Sequence, residues 1–542
     1  MKRFVQMASQ IAAVVVLGAC GGGGDGDDNG DGPTDVVQTS SGPVQGLRQN
    51  AYQAFLGIPY AAPPVGPLRW KPPAAPSSWT ATRQAVHYGP TCAQDNTLGG
   101  FAAPSMSEDC LHLNVFTPLK ASTAKRPVMV WIHGGGLFDG ASDGHDPRLL
   151  MDQGDVVFVS MNYRLNVFGF FSHPAINTEG HANGNYGFLD QQFALKWVQQ
   201  NVARFGGDPD NVTIFGESSG GQSVWAHIAA PSSAGLFHKA IVESSQTFNP
   251  PPLKDMEPVG TALADAIGCA DQSAACLRTA SPEKLLAANT RNPYTNPAST
   301  GGGVFGKFLV GAMTDGDFLR EPIAQAVAAG RFNRVPLLNG TNFDERAWFV
   351  ALAETITKKP LTAAQFPGEM QELFGDATPD VMALYPLTNY PSPSNALAAA
   401  AGDRASICGA RRNNRGYSQF VADTYAYEFE VPDAPVSSAP VSFPYRSYHT
   451  AELQFIFPGW HGATGRVNEL SPEQQRLALR MARYWTSFAS RGTPNGAGHD
   501  EPEWPRYRAS HDNYMVLRTP EPAPVSAWGD RHHCNFWDQL DG

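Results

Sequence analysis

Gly216-Glu217-Ser218-Ser219-Gly220 has the pattern G-x-S-x-G, in which small neighbours let a serine sit on a sharp, strained turn with its hydroxyl held into a cleft. A serine so placed becomes a nucleophile for acyl transfer once a base removes its proton. The flanks fit this use. Val212-Thr213-Ile214-Phe215 reads as the strand that must precede the turn, and Gln222 to Ile228 can begin the helix that must follow, with its N-terminal dipole favouring a developing anion. The pentapeptide alone is weak, because Gly140-Ala141-Ser142-Asp143-Gly144 matches it too. Ser142, however, has no strand before it and is followed by the loop-forming Asp143-Gly144-His145-Asp146-Pro147, so it reads as structural. Upstream, His133-Gly134-Gly135-Gly136 follows the apolar run ending in Trp131-Ile132. Glycines after a strand can turn backbone N–H groups toward a reacting carbonyl oxygen, which makes Gly135, Gly136 and Ser219 the expected oxyanion donors.

These groups need a rigid frame, and the chain carries one. Pro127 to Ile132 and Val156 to Ser160 are continuous apolar runs, as in strands buried on both faces. Between Val156 to Ser160 and Val212 to Phe215 lies a helical stretch, Leu189 to Ala203, with apolar residues spaced by three and four. Strand, helix, strand in that order predicts a largely parallel sheet with helices on both sides, and Val335 to Asn339 and Thr424 to Phe429 read as later strands. Hydrophobic residues make up 42% of the 542 residues and charged residues 16%, which supplies a core and excludes a solvated, disordered chain. The net charge of −11, without clustered Lys and Arg, argues against a nucleic-acid surface. No repeat or Pro/Ser-rich linker interrupts the region after Gly32. One α/β domain over 36–542, with loop and helical insertions, is therefore expected.

The N-terminus reads as a separate unit. Lys2 and Arg3 precede the short apolar run Ile11 to Leu17, which has the shape of a secretory signal rather than of the roughly 20 residues that span a bilayer. Leu17-Gly18-Ala19-Cys20 looks like a bacterial lipoprotein cleavage site, with 1–19 removed and Cys20 lipidated. Residues 20–35, rich in Gly and Asp, read as a flexible tether. The expectation is an exported protein, periplasmic or at the cell surface, that meets the membrane only through this lipid anchor. Setting Cys20 aside leaves Cys92, Cys110, Cys269, Cys276, Cys408 and Cys534, an even set suited to an oxidising compartment, whose spacing leaves the pairing open.

The chain resembles the type B carboxylesterases, the family of bacterial carboxylesterases and cholinesterases. The matching segments are Phe55 to Tyr60, Pro63 to Gly66, Leu68-Arg69-Trp70, Ser107 to Val115, Asn162-Tyr163-Arg164, Gly184 to Gly187, Phe205 to Pro209, Trp485 with Phe488-Ala489, and Cys534 to Trp537, beside the two glycine motifs. The resemblance implies an α/β-hydrolase fold and hydrolysis of a small-molecule ester with no cofactor and no metal. It puts the nucleophile on Ser218, the acid on Glu345 in Gly340 to Glu345, and the base on His449 in Tyr448 to Leu453. It also implies the disulfides Cys92–Cys110, Cys269–Cys276 and Cys408–Cys534. Ser219 stands where the family usually has alanine, which leaves its backbone donor intact. Arg346 stands where glycine is usual, which makes the adjacent Asp344 a competing acid. Glu217 reads as a buried network residue or a modulator of His449.

Other motifs are set aside. Gly301 to Lys307 fits G-x-x-x-x-G-K but is followed by Phe308 instead of Ser or Thr, and His227, His532 and His533 have no partner at zinc-ligand spacing. Phe138 and Trp225 are the expected apolar pocket walls. The first cysteine loop holds Phe101 but no tryptophan for a cation–π contact, so choline esters are disfavoured and short-to-medium acyl or aromatic esters expected. Amide or carbamate hydrolysis on the same site is the alternative, and a non-catalytic binding or adhesion module a more distant one.

Overall fold

The computed structural model describes residues 32–49, 52–95, 98–120, 122–289, 311–496 and 500–541. The signal-like segment, Cys20, most of the tether and Gly301 to Lys307 lie outside these residues.

Twelve strands run in one twisted path: β1 (Gly32–Gln38), β2 (Pro43–Arg48), β3 (Tyr52–Pro59), β4 (His112–Pro118), β5 (Arg126–Ile132), β6 (Val157–Met161), β7 (Gly207–Glu217), β8 (Lys239–Glu243), β9 (Leu337–Asn342), β10 (Thr424–Phe429), β11 (Tyr514–Leu517) and β12 (Ala523–Val525). Their order is β1-β2-β3-β4-β6-β5-β7-β8-β9-β10-β11-β12, with a short strand at Arg83–Gln84 beside β2. Pairing is parallel from β6 through β11 and antiparallel at both margins. The expected strands at 127–132, 156–160, 212–215, 335–339 and 424–429 therefore all lie in one sheet.

Alternation along these strands builds two cores. Met129 and Trp131 of β5, Phe158, Phe215 and Ile241 face one layer, where Leu477, Met481 and Trp485 of a long helix join them. Val128, Val130 and Ile132, with Val157, Val159, Ile214 and Val242, face the other. There they meet Leu195 and Val198 of α1 (Tyr186–Asn201) and Val224, Trp225 and Ile228 of α2 (Ser219–Ala229). Continuous apolar runs arise because each face of the strand has its own helical layer to bury against. The three disulfides join Cys92 to Cys110, Cys269 to Cys276 and Cys408 to Cys534, as the resemblance implies. Among the described residues no helix is long and apolar enough to cross a membrane.

One boundary differs. Strand β1 begins at Gly32, inside the segment 20–35 read as tether. Thr34 is the reason: its hydroxyl accepts from Gly46 N–H at 2.9 Å, its carbonyl accepts from the Gln45 amide at 2.8 Å, and it is buried. A polar residue that satisfies hydrogen bonds at a sheet edge carries no apolar signal to mark it.

Candidate active site

The site lies at the C-terminal ends of the central parallel strands. β7 ends at Glu217, Ser218 follows with φ 55° and ψ −122°, and α2 starts at Ser219. A non-glycine residue in that region is strained, and the turn survives because its neighbours hold it. Ser218 N–H donates to Glu243 O at the end of β8 (3.0 Å), anchoring the turn to the next strand. The flanking glycines are set by close approach: a Cβ on Gly216 would lie 2.6 Å from Ile132 O, and one on Gly220 would overlap that oxygen and lie 3.0 Å from His133 O. Gly220→Ala is expected to destabilise the fold by about 1–3 kcal/mol through this clash, as measured by urea unfolding. Gly416→Ala, where a methyl meets nothing within 4 Å in the helix Cys408–Tyr417, should instead be neutral or stabilising.

Gly135 and Gly136 adopt φ 100° and 66°, which lets the chain after β5 double back beside Ser218. The N–H groups of Gly135, Gly136 and Ser219 donate to no acceptor among the described residues. Around them the turn is rigid. The Ser219 hydroxyl accepts from Leu137 N–H (3.1 Å), Tyr163 OH donates to His133 O (2.7 Å), and the His133 ring stacks on Tyr163 at 4.4 Å. Burial lowers His133 to about 4, so its ring is neutral at neutral pH. The serine that replaces alanine thus ties the helix to the glycine turn. Arg164, just beyond β6, holds Asp190 of α1 by two bonds of 2.7 Å and fixes that helix behind the turn.

The acid and base arrive from distant parts of the chain. Glu345 follows β9, its Oε1 accepting from Asn342 N–H (2.8 Å) and its Oε2 lying 2.6 Å from His449 Nδ1. Asp344 turns the other way, pairing with Arg446 at 3.0 Å and accepting from Ser447 N–H at 3.1 Å. His449 Nε2 lies 3.2 Å from Glu217 Oε1. Burial, with the nearby Glu452, Glu345 and Glu243, pushes the Glu217 carboxyl well above the usual range, which disfavours its charged form. Behind it, Glu243 accepts from Trp485 Nε1 (2.8 Å) and is pushed up to about 8, chiefly by burial; Glu452 accepts from Ser244 and Asn342 and rises to about 7, again chiefly by burial. The buried carboxyls around the base therefore hold less negative charge at neutral pH than their number suggests.

Ser218, His449, Glu217 and Gly134 to Gly136 open into one pocket. Its apolar walls are Leu98, Phe101, Trp348, Phe349, Leu453 and Trp460. The expected walls Phe138 and Trp225 do not line it. Trp225 is wholly buried on the face of α2 that packs against Tyr417, and Phe138 lies against Gly136, where a Cβ would be 2.9 Å from its ring. Nearness in sequence to the elbow does not bring Trp225 to the pocket, because a helix sends successive residues to different faces. Trp348 and Phe349 had one signal, their place on the first turn of the helix Ala347–Thr357 just after the acid. Arg346 sets its guanidinium 4.7 Å over Phe349, whose ring lies 5.1 Å from that of His449. Ser142 is buried in the frame, accepting from Asn114 and donating its N–H to Asn162. His532 sits between Asp403 (2.7 Å) and Glu428 (2.6 Å); burial would lower it, yet the two carboxylates outweigh this and raise it to about 10.

Comparison with known proteins gives the family. The family model described as the carboxylesterase family matches residues 33–537. The chain belongs to the carboxylesterase family. This carboxylesterase is 36% identical to the acylcarnitine hydrolase of Mus musculus over 531 residues, covering 90% of this chain and 88% of that one. It is 34% identical to the cocaine esterase of Homo sapiens, with 90% and 86% covered. A solved thermophilic PNB esterase superposes with a TM-score of 0.76 at 30% identity, covering 92% of the carboxylesterase and 99% of that structure. The carboxylesterase has the α/β-hydrolase fold and hydrolyses carboxylic esters as a serine hydrolase.

Proposed function

We propose that this carboxylesterase cleaves uncharged esters of apolar acids and alcohols, with Ser218 as nucleophile, His449 as base and Glu345 as the acid that orients it. The observation that carries the assignment is the 2.6 Å contact of His449 Nδ1 with Glu345 Oε2, in a pocket shared with the strained Ser218. Bound in this way, Nδ1 keeps its proton, which leaves Nε2, on the pocket side between Glu217 and Ser218, as the nitrogen that accepts one. His449 takes the Ser218 proton as the hydroxyl attacks the ester carbonyl, and Glu345 stabilises the imidazolium. Gly135, Gly136 and Ser219 N–H donate to the oxyanion, each worth on the order of 10²–10³ in rate. The imidazolium protonates the leaving alcohol. Water, activated by the same base, then frees the acid and restores Ser218.

The substrate class follows from the walls. Leu98, Phe101, Trp348, Phe349, Leu453 and Trp460 offer apolar contact, and burial disfavours the charged form of Glu217, the carboxyl that lines the pocket and could hold a cationic alcohol. 3,3-Dimethylbutyl butyrate, the uncharged isostere of butyrylcholine with a leaving alcohol of similar basicity, is expected to exceed butyrylcholine in kcat/KM by about a hundredfold. Equal values, or faster cleavage of a matched anilide or carbamate, would overturn the substrate reading. Export is part of the same proposal, supported by three disulfides, which persist in an oxidising compartment, and the anchor proposed at Cys20 rests on the Leu17-Gly18-Ala19-Cys20 sequence.

A further inference from the structure

Asp139 is an acidic residue in a place built for none. It sits one turn beyond the oxyanion glycines, 1% exposed, with its backbone N–H donating to Gly135 O at 3.0 Å. Its side chain packs on Gly135 itself, since a Cβ there would lie 2.7 Å from Asp139 Oδ1. The other carboxyl oxygen, Oδ2, accepts from Leu98 N–H at 3.3 Å, across to the Cys92–Cys110 loop. Oδ1 is buried and has no hydrogen-bond partner among the described residues. The next residue repeats the link: Gly140 N–H donates to Gln94 Oε1 (2.8 Å), and Gln94 Nε2 donates to Gly140 O (2.9 Å). That loop carries Leu98 and Phe101, two walls of the pocket, and its far side is fastened by Gly100 N–H to Ala463 O (2.9 Å).

We infer that Asp139 is a positioning residue that ties the oxyanion turn to the loop bearing the Leu98 and Phe101 walls, and that turnover requires its carboxyl to be protonated. The inference rests on the oxyanion role given to Gly135 and Gly136. A neutral carboxyl accepts from Leu98 and leaves the field at Gly135 undisturbed. An ionised one places a negative charge against the turn where a second negative charge develops in the transition state, in a site with little water to screen it. Burial is what keeps the proton on: it pushes Asp139 up to about 8, with Asp95 on the facing loop adding to the rise and the Leu98 N–H opposing it. Among the described residues the other titratable groups facing it are His133, on the same turn and neutral, and Tyr163, which burial raises far above the working range. None supplies a compensating cation.

The full-length enzyme and its Asp139→Asn and Asp139→Leu variants, with p-nitrophenyl butyrate and background hydrolysis subtracted, test this. Wild-type kcat is expected to fall by about tenfold between pH 7 and pH 9.5 as Asp139 ionises, whereas Asp139→Asn, which still accepts from Leu98 but cannot ionise, should change by less than about twofold over that range. Asp139→Leu removes the acceptor and should raise KM at every pH, while sharing the flat alkaline profile. A wild-type rate flat to pH 9.5, or an identical alkaline fall in wild type and Asp139→Asn, overturns the proposal. Should Asp139→Leu fail to fold, the Asn profile alone decides. Ser218→Ala is measured alongside: activity surviving there condemns the site reading itself, independently of the outcome at Asp139.

Discussion

Ser218→Ala is expected to lower kcat on a p-nitrophenyl ester by about 10⁶, while Ser142→Ala stays within about tenfold of wild type. The two serines share one pentapeptide pattern, and their surroundings separate them. Ser218 follows a central strand in a strained conformation and opens into the pocket with His449 and Gly134 to Gly136. Ser142 is 4% exposed, and its hydroxyl is occupied by Asn114. Losing Oγ at Ser218 removes the atom that forms the acyl-enzyme, which no neighbour can supply. Losing it at Ser142 leaves one buried amide short of a partner, a cost of about 1–3 kcal/mol borne by stability. The check is kcat for both variants with a fluorophosphonate probe as an independent reading of the nucleophile. Labelling lost in Ser142→Ala and kept in Ser218→Ala would reverse the assignment.

Glu345→Gln should cost about 10³–10⁴ in kcat, whereas Asp344→Asn should cost less than about tenfold. Glutamine can still touch Nδ1, but it no longer stabilises the imidazolium, and its NH₂ favours the wrong tautomer. Asp344 has another task. Its N–H donates to Ser447 O and its carboxylate accepts from Ser447 N–H and Arg446, so it stitches the turn after β9 to the loop that delivers His449. Asparagine keeps the acceptor for Ser447 and loses only the ion pair, a third of whose arginine is exposed. The measurement is kcat for both variants with unfolding midpoints. Equal losses in kcat at unchanged stability would move the acid away from Glu345.

The strands were legible because burial on both faces demands continuous apolar runs, and Pro127 to Ile132 and Thr424 to Phe429 appear in the sheet within about a residue of where the runs place them. Ser218 and the glycine turn were legible because clashes enforce their spacing: no side chain fits at Gly216 or Gly220 beside Ile132 O. The pocket walls were not. Leu98, Trp348 and the pair Leu453 and Trp460 come from three separate segments, and an apolar residue that lines a cavity looks in sequence like one that fills a core.

What the sequence by itself determined was the local chemistry: a serine at a strand-to-helix turn, donors on a glycine run, six cysteines and a histidine in the order the resemblance implies. Tertiary structure alone decided which of two adjacent acids meets the imidazole, that Glu217 faces its other nitrogen, and that Asp139 is buried against Gly135. The reason is physical. Turn geometry and helix dipoles act over a few residues and leave marks at fixed spacing, whereas desolvation and charge–charge coupling depend on what is packed alongside, as across the 104-residue separation of Glu345 and His449.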